Sequence, residues 1–231
     1  MRRPLTVLVA AAAALTIALA PTAASGAPSS SAPSSASPGV SAGDLKLRWG
    51  TFSTKKVTGK GTKVIKLPKG AKRGLVTLTA GGKGKVSVQV LKKNRKPQGK
   101  ALVATQALPY KGTTLFGLDL EQYDPTYLKV TSTSTKKWKV TIQPLHKAKA
   151  LKKTHKGSGD AVLRASLTVP KSWSLSYKAK AKSRFAVRAF GLTYTQDLFD
   201  KKTKKLSKKV RVSSFSGLVS VRSQGDWKIK R

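Results

Sequence analysis

No cysteine occurs in the 231 residues. Disulfides and thiolate metal sites are therefore excluded, and stability has to come from packed cores. Acids are almost as scarce: 8 Asp and Glu stand against 47 Lys and Arg, a formal charge of +39. Hydrolysis needs a positioned base, usually beside a nucleophile or a second carboxylate, and 2 histidines and 8 acids leave few candidates. Beyond the first 24 residues no apolar run is long enough to cross a bilayer, and no run carries the 3.6-residue periodicity of an amphipathic helix.

What is present begins with Met1, Arg2 and Arg3, followed by an apolar stretch from Leu5 to Ala20 and small residues after it. A basic start, a short apolar core and a small-residue cleavage site are the marks of a secretory signal peptide, expected here over residues 1–24. Residues 25–44 are mostly Ser, Ala, Pro and Gly. Such a stretch buries too little apolar area to offset its ordering entropy and is expected to be a disordered spacer. No cysteine for a lipid anchor and no LPxTG-like motif follow, so the expectation is a secreted, extracellular protein, associated with a cell wall without a covalent tether.

From Leu45 the hydrophobic period is two. Leu75-Val-Thr-Leu-Thr79, Val86-Ser-Val-Gln-Val90, Trp138-Lys-Val-Thr-Ile142, Phe185-Ala-Val-Arg-Ala189 and Trp227-Lys-Ile229 alternate apolar with polar residues between Gly-, Pro- and Lys-rich breaks. Alternation places one face of each strand on a core, the pattern of an antiparallel sandwich. The chain also repeats. Gly59-Lys-Gly-Thr-Lys-Val64 aligns with Gly157-Ser-Gly-Asp-Ala-Val162, Val76/Leu78 with Leu175/Tyr177, and Val86/Val88 with Phe185/Val187. Leu128-Lys-Val130 before Trp138 aligns with Val219-Ser-Val221 before Trp227. The expected fold is all-β: two tandem antiparallel β-sandwich, jelly-roll-like domains at residues 45–145 and 152–231, joined by a basic linker at 146–151.

The Gly-x-Gly-x-x-Val opening, a strand pair, the Leu102–Phe116 segment and the closing Leu-Lys-Val and Trp-Lys-Val-Thr-Ile strands resemble β-sandwich modules of secreted actinobacterial proteins. In outline these are similar to the accessory β-domains of exported hydrolases. The second repeat departs from the pattern, carrying Lys201–Lys209 where the first has its Tyr-x-Gly-Thr segment. The resemblance implies no catalytic residues.

The residues that could carry chemistry are few. His155, Ser158 and Asp160 lie close in sequence but lack the strand–elbow–helix setting of a hydrolase nucleophile, and a turn entering a strand is the expectation. Asp119, Glu121 and Asp124 form an acidic cluster whose oxygens would suit Ca²⁺, yet no EF-hand-like loop surrounds them, and pairing with nearby lysines is expected instead. His146 and His155 cannot close a zinc tetrahedron. No enzyme activity, cofactor, metal or small-molecule substrate is expected. Trp138 and Trp227 hold equivalent positions suited to a core, whereas Trp173 and Tyr110 are the candidates for stacking on a sugar.

The basic runs point to a partner. Lys147, Lys149, Lys152, Lys153 and Lys156 crowd the junction, and Lys201, Lys202, Lys204, Lys205, Lys208 and Lys209 form the densest cluster, read as a loop. Residues 55–145 and 152–231 each carry +17. Lysines outnumber arginines 36 to 11, which favours diffuse attraction over bidentate readout. The expected partners are anionic polymers: wall teichoic acid, acidic polysaccharide or extracellular nucleic acid, with at most peripheral membrane contact. A carbohydrate-binding module or a structural, protein-binding module of the envelope is the alternative.

Overall fold

The computed structural model describes residues 41–118, 124–191 and 194–231. The expected signal peptide therefore lies outside the described residues, as does most of the spacer. After a helix α1 (Ala42–Trp49), the first half contributes β1 (Lys55–Gly59), β2 (Lys63–Lys66), β3 (Gly74–Ala80), β4 (Lys85–Leu91), β5 (Val103–Ala107), β6 (Tyr110–Phe116), β7 (Tyr127–Ser132) and β8 (Trp138–Gln143). The second half contributes β9 (Lys149–Ala150), β10 (Thr154–Ser158), β11 (Ala161–Leu167), β12 (Lys171–Phe190), β13 (Thr195–Val212), β14 (Phe215–Arg222) and β15 (Asp226–Lys230).

The all-β expectation holds, and the topology is a jelly roll made twice. In the first half the sheets run β1-β8-β3-β6 and β2-β7-β4-β5. First pairs with last, second with seventh, third with sixth and fourth with fifth, all antiparallel, so the chain is one long hairpin rolled into a sandwich. The second half repeats the scheme with fewer breaks. β12 and β13 pair from end to end apart from Ala179–Lys182, with register shifts between Lys178 and Ser183 and between Val187 and Arg188, and each serves both layers. The β12 segment Ser174–Lys178 lies beside β15, and Ala186–Phe190 lies beside β14. Where the first roll turns at Gly81-Gly-Lys-Gly84, the second has Ala179-Lys-Ala-Lys182, which has no glycine to break the strand.

Each roll closes on a tryptophan. Trp138 and Trp227 stand at the start of the last strands, as first and second residue, 0 % and 4 % exposed, and donate their indole N–H to the carbonyls of Gly61 (3.0 Å) and Gly159 (2.8 Å). Both acceptor glycines adopt positive φ, 57° and 71°, and both indoles lie against a second glycine, Gly59 and Gly157, opposite them in register. This is the structural content of the aligned Gly-x-Gly motifs. The register also corrects one alignment. Leu78 and Leu175 are equivalent, lying opposite Val140 and Ile229, while Ala80 and Tyr177 lie opposite the two tryptophans. A shift of two residues preserves the inward face, so periodicity alone does not set the phase.

Two further expectations are corrected. The helix Ala42–Trp49 stands where spacer and strand were expected. Ser41 Oγ accepts from Asp44 N–H (3.1 Å) and the Asp44 carboxylate from Ser41 N–H (3.0 Å), a capping box that satisfies the first orphan donors. The stretch 146–151 is not a bare linker. A 3-10 turn at Leu145–Lys147 and β9, parallel to β11, hold it down, with Leu145, Ala148 and Leu151 buried. The two rolls pack together through a third core of Leu45, Leu75, Leu115, Leu145, Val162, Phe190 and Leu218.

Candidate functional site

The outward face of β10-β15-β12-β13 follows from the register. Trp227 and Ile229, Leu175 and Tyr177, and Val210 and Val212 point inward and are buried, so their strand neighbours point out. Three cross-strand rows result: Thr154–Lys230–Ser174–Lys209, Lys156–Lys228–Ser176–Ser207 and Ser158–Asp226–Lys178–Lys205, with Ser172 and Arg211 beyond them. The face carries seven cations, Lys156, Lys178, Lys205, Lys209, Arg211, Lys228 and Lys230, and one acid, Asp226. All eight are exposed, and a stripe of serines runs along β12 between them. Strands are about 4.8 Å apart and outward residues about 6.7 Å apart along each, so the cations form a grid of that spacing.

Four of the described acids are committed elsewhere. Asp200 and Asp197 form two-point ion pairs with Arg184 and Arg188 on the opposite layer of the roll. The hydrogen-bonded Arg184 guanidinium holds the Asp200 carboxyl below its ordinary value. Asp44 caps its helix, and Asp160 sits between the rolls, its carboxylate accepting from Tyr110 Oη (2.6 Å) and Ser223 N–H (2.8 Å). Burial raises both Asp160 and Tyr110 above their usual values. The corresponding face of the first roll is poorer in charge, with Lys56, Lys111 and Lys139 among threonines. It is also partly covered: Thr113 N–H donates to the Asp160 carbonyl (2.9 Å) and Leu75 and Leu115 enter the third core.

The sequence candidates are scattered by this geometry. Lys156, Lys205 and Lys209 join the face. Lys201–Lys209 is not a loop but part of β13, so alternation splits it: Lys202 lies opposite Arg184 on the other layer, and Lys201 and Lys208 lie opposite the inward Phe185 and Leu175. The Lys208 ammonium stands over the Phe199 ring, 5.9 Å from its centroid. Lys147 and Lys149 lie in the 3-10 turn and β9, and Lys152 and Lys153 lead into β10. Lys178, Arg211, Lys228 and Lys230 were not singled out from the sequence, because only strand pairing brings them together.

The sugar-stacking candidates are corrected. Trp173 is fully buried and packs against Phe215, and Tyr110 is 9 % exposed with its hydroxyl on Asp160, so neither offers a ring face to solvent. His155 and Ser158 fall on opposite faces of β10, and no catalytic constellation forms there. Asp119 and Glu121 lie outside the described residues, and Asp124 is exposed in a positive-φ turn. Among the described residues, no three His, Asp or Glu side chains come close enough to hold a metal, and no helix is long and apolar enough to cross a membrane.

His155 stacks on Trp227, centroids 5.8 Å apart and planes at 12°. Burial, then Lys152 and Lys149, hold its imidazole below the ordinary value of 6.5. As pH falls through 6.5 the unfolded chain takes up a proton that the folded chain refuses, so stability drops until the lower folded value is passed. His155→Phe keeps the stack and is expected to flatten the fall in melting temperature between about pH 7.5 and about pH 5. An unchanged pH profile would assign that fall to other groups, His146 first among them, since burial lowers it too.

No protein-family model matches the chain, and no curated protein matches it. Among solved structures it is similar to a turret protein of Sulfolobus turreted icosahedral virus, at 13 % identity and a TM-score of 0.24, over 77 % of this chain and 95 % of that one. It is also similar to the N-terminal CBM22 tandem domain of a Paenibacillus barcinonensis protein, at 11 % identity and 0.22, over 76 % and 80 %. A third likeness is to a Bacteroides uniformis β-glucuronidase, at 10 % identity and 0.26, over 70 % of this chain and 21 % of the other. At such scores these likenesses carry neither a family nor a function.

Proposed function

We propose that the protein is exported and, without catalysis, holds anionic polymers on the lysine-rich face of its second roll. One observation carries this: seven cations and a single acid share an exposed, four-strand surface, while Asp44, Asp160, Asp197 and Asp200 are bound elsewhere. Like charges at that density repel one another, and a polymer of phosphates or carboxylates removes the repulsion while releasing its own counterions. Six of the seven are lysines, point charges on flexible stems, which suit phosphate and carboxylate polymers of varied geometry and give no base-specific contact.

Export is proposed from the basic, apolar and small-residue order of the first 24 residues. The carbohydrate-module alternative loses the two rings that supported it, since both are buried. Binding of residues 25–231 to polyphosphate, DNA and a neutral glycan across a salt series tests the proposal. Retention on the two polyanions and none on the neutral glycan is expected.

A further inference from the structure

A second basic surface lies between the rolls, on the opposite layer from the outer face. The outward residues of β12's second half and of β14 line a cavity of about 300 Å³ with Lys182, Arg184, Lys202 and Arg222. The first roll closes it with the β5 segment that ends at Gln106, and Gln224 donates its amide N–H to the Gln106 side-chain carbonyl across the gap. A smaller cleft of about 100 Å³ continues from it along Arg184 and Arg188.

The charges in this cavity are unevenly committed. Arg184 is clamped by Asp200, which fixes its guanidinium against the wall. Asp160, the only acid among the described residues that line the cavity, is occupied by Tyr110 and Ser223. Lys182, Lys202 and Arg222 make no ion pair among the described residues. Between these cations stand neutral polar groups, the Thr105 hydroxyl and the two glutamine amides, whose mutual bond leaves a Gln106 N–H and the Gln224 carbonyl over, while the Ser183 and Ser223 hydroxyls are held by Tyr177 and Gly225. Arg222 is half-buried, so its planar fork is held rather than free to sweep the solvent.

We infer that this cavity binds a single anionic sugar unit, a carboxylate- or phosphate-bearing monosaccharide, with Arg222, Lys182 and Lys202 on the oxyanion and the glutamine amides and the Thr105 hydroxyl on the ring hydroxyls. The size argues for one unit: small-ligand sites span roughly 300–1,000 Å³, and this cavity stands at the lower end. The mixture argues for a sugar acid or sugar phosphate over a bare ion. A bare ion would use the cations and leave the Thr105 hydroxyl, the Gln106 amide N–H and the Gln224 side-chain carbonyl unused, whereas a polyhydroxylated ring supplies donors and acceptors for them. The inference stands apart from the outer face, and either can fail alone.

The test is a titration of the full mature chain with galacturonate, glucose 6-phosphate, galactose and inorganic phosphate at moderate salt, followed by calorimetry and backbone amide shifts. Saturable binding of galacturonate or glucose 6-phosphate is expected, at least 10-fold tighter than galactose and inorganic phosphate, with shifts in Val103–Ala107, Ser183–Arg188 and Ser220–Gln224. Which of the two binds tells a carboxylate from a phosphate source. Arg222→Gln and, at an exposed position that cannot disturb the fold, Lys182→Gln should each weaken it at least 10-fold, while Lys228→Gln on the outer face leaves it unchanged. Equal affinity for inorganic phosphate, wild-type affinity in both cavity variants, or no saturable binding of either anionic sugar would overturn the inference.

Discussion

Replacing Lys205, Lys209, Lys228 and Lys230 together by glutamine is expected to weaken polyanion binding about 100-fold or more at low salt, taking about 1 kcal/mol for each lysine held against an anionic surface and tenfold for each 1.4 kcal/mol. All four side chains are exposed and point away from the core, so the fold should be untouched. The control is charge-matched: Lys83, Lys92, Lys93 and Lys96, exposed in the turns of the first roll, changed to glutamine in a second variant of the same net charge. If affinity follows net charge alone, both variants weaken alike, and a diffuse field of the whole protein explains the binding. If it follows the grid, only the first does. Equal loss in the two would remove the outer face from the account.

The second large effect concerns what holds the grid's strands together. Trp227 lies against Gly157, and a Cβ built on that glycine would come within 2.3 Å of an indole carbon; at Gly59 the clash with Trp138 would be 2.4 Å. Neither ring can retreat without losing its hydrogen bond to Gly159 or Gly61. Gly157→Ala should therefore cost about 3 kcal/mol, an overpacking penalty plus a strained or broken buried hydrogen bond. Trp227→Ala should cost about 4 kcal/mol by leaving a cavity. The double variant tells the mechanism: with the indole gone the alanine methyl has room, so Gly157→Ala should then cost little, a coupling of about 2 kcal/mol. Denaturant unfolding of the four proteins measures it. Additive losses would mean that the glycine serves the backbone rather than the ring. The Gly59–Trp138 pair should give the same cycle, because the same motif makes the same contact in both rolls.

Much of this architecture is legible in particular residues. The aligned Gly-x-Gly motifs and the closing tryptophans mark the repeat, and period-two alternation marks most strands with their inward faces. The phase of β3 against β12 escapes because Val76, Leu78 and Ala80 all face inward, and nothing in their side chains distinguishes a two-residue slip. Leu45-Lys-Leu-Arg-Trp49 alternates like a strand yet is helical, since the Ser41–Asp44 capping box organises the first turn and only Leu45 needs burying. The contact between the rolls had a signal that alternation obscures. Leu75-Val76, Leu115-Phe116, Val162-Leu163, Ala189-Phe190 and Leu218-Val219 are apolar doublets, where a strand solvated on one side needs a single apolar residue. In each, one member enters a roll and the other enters the third core or its margin.

The binding face was less accessible for a physical reason. Clusters of lysine along the chain draw attention to Lys201–Lys209, but in a strand alternate residues part company, and of its six lysines only Lys205 and Lys209 join the face. The grid is assembled from β10, β12, β13 and β15, from Lys156 to Lys230, and only the register places Lys228 between Lys156 and Ser176. Trp173 is a stacking candidate in the sequence because no repeat partner fixes it to a core, yet in the strand it takes an inward position with Leu175 and Tyr177.

The most direct test of the central claim is the salt dependence of binding to duplex DNA of defined length. Log affinity should fall linearly with log salt, with a slope of about −0.9 for each phosphate neutralised, hence about −4 to −6 if most of the seven face cations engage. In the four-glutamine variant of the face the slope should shrink to roughly half or less. A wild-type affinity that stays flat with salt, or a slope that the face variant leaves unchanged, would contradict it.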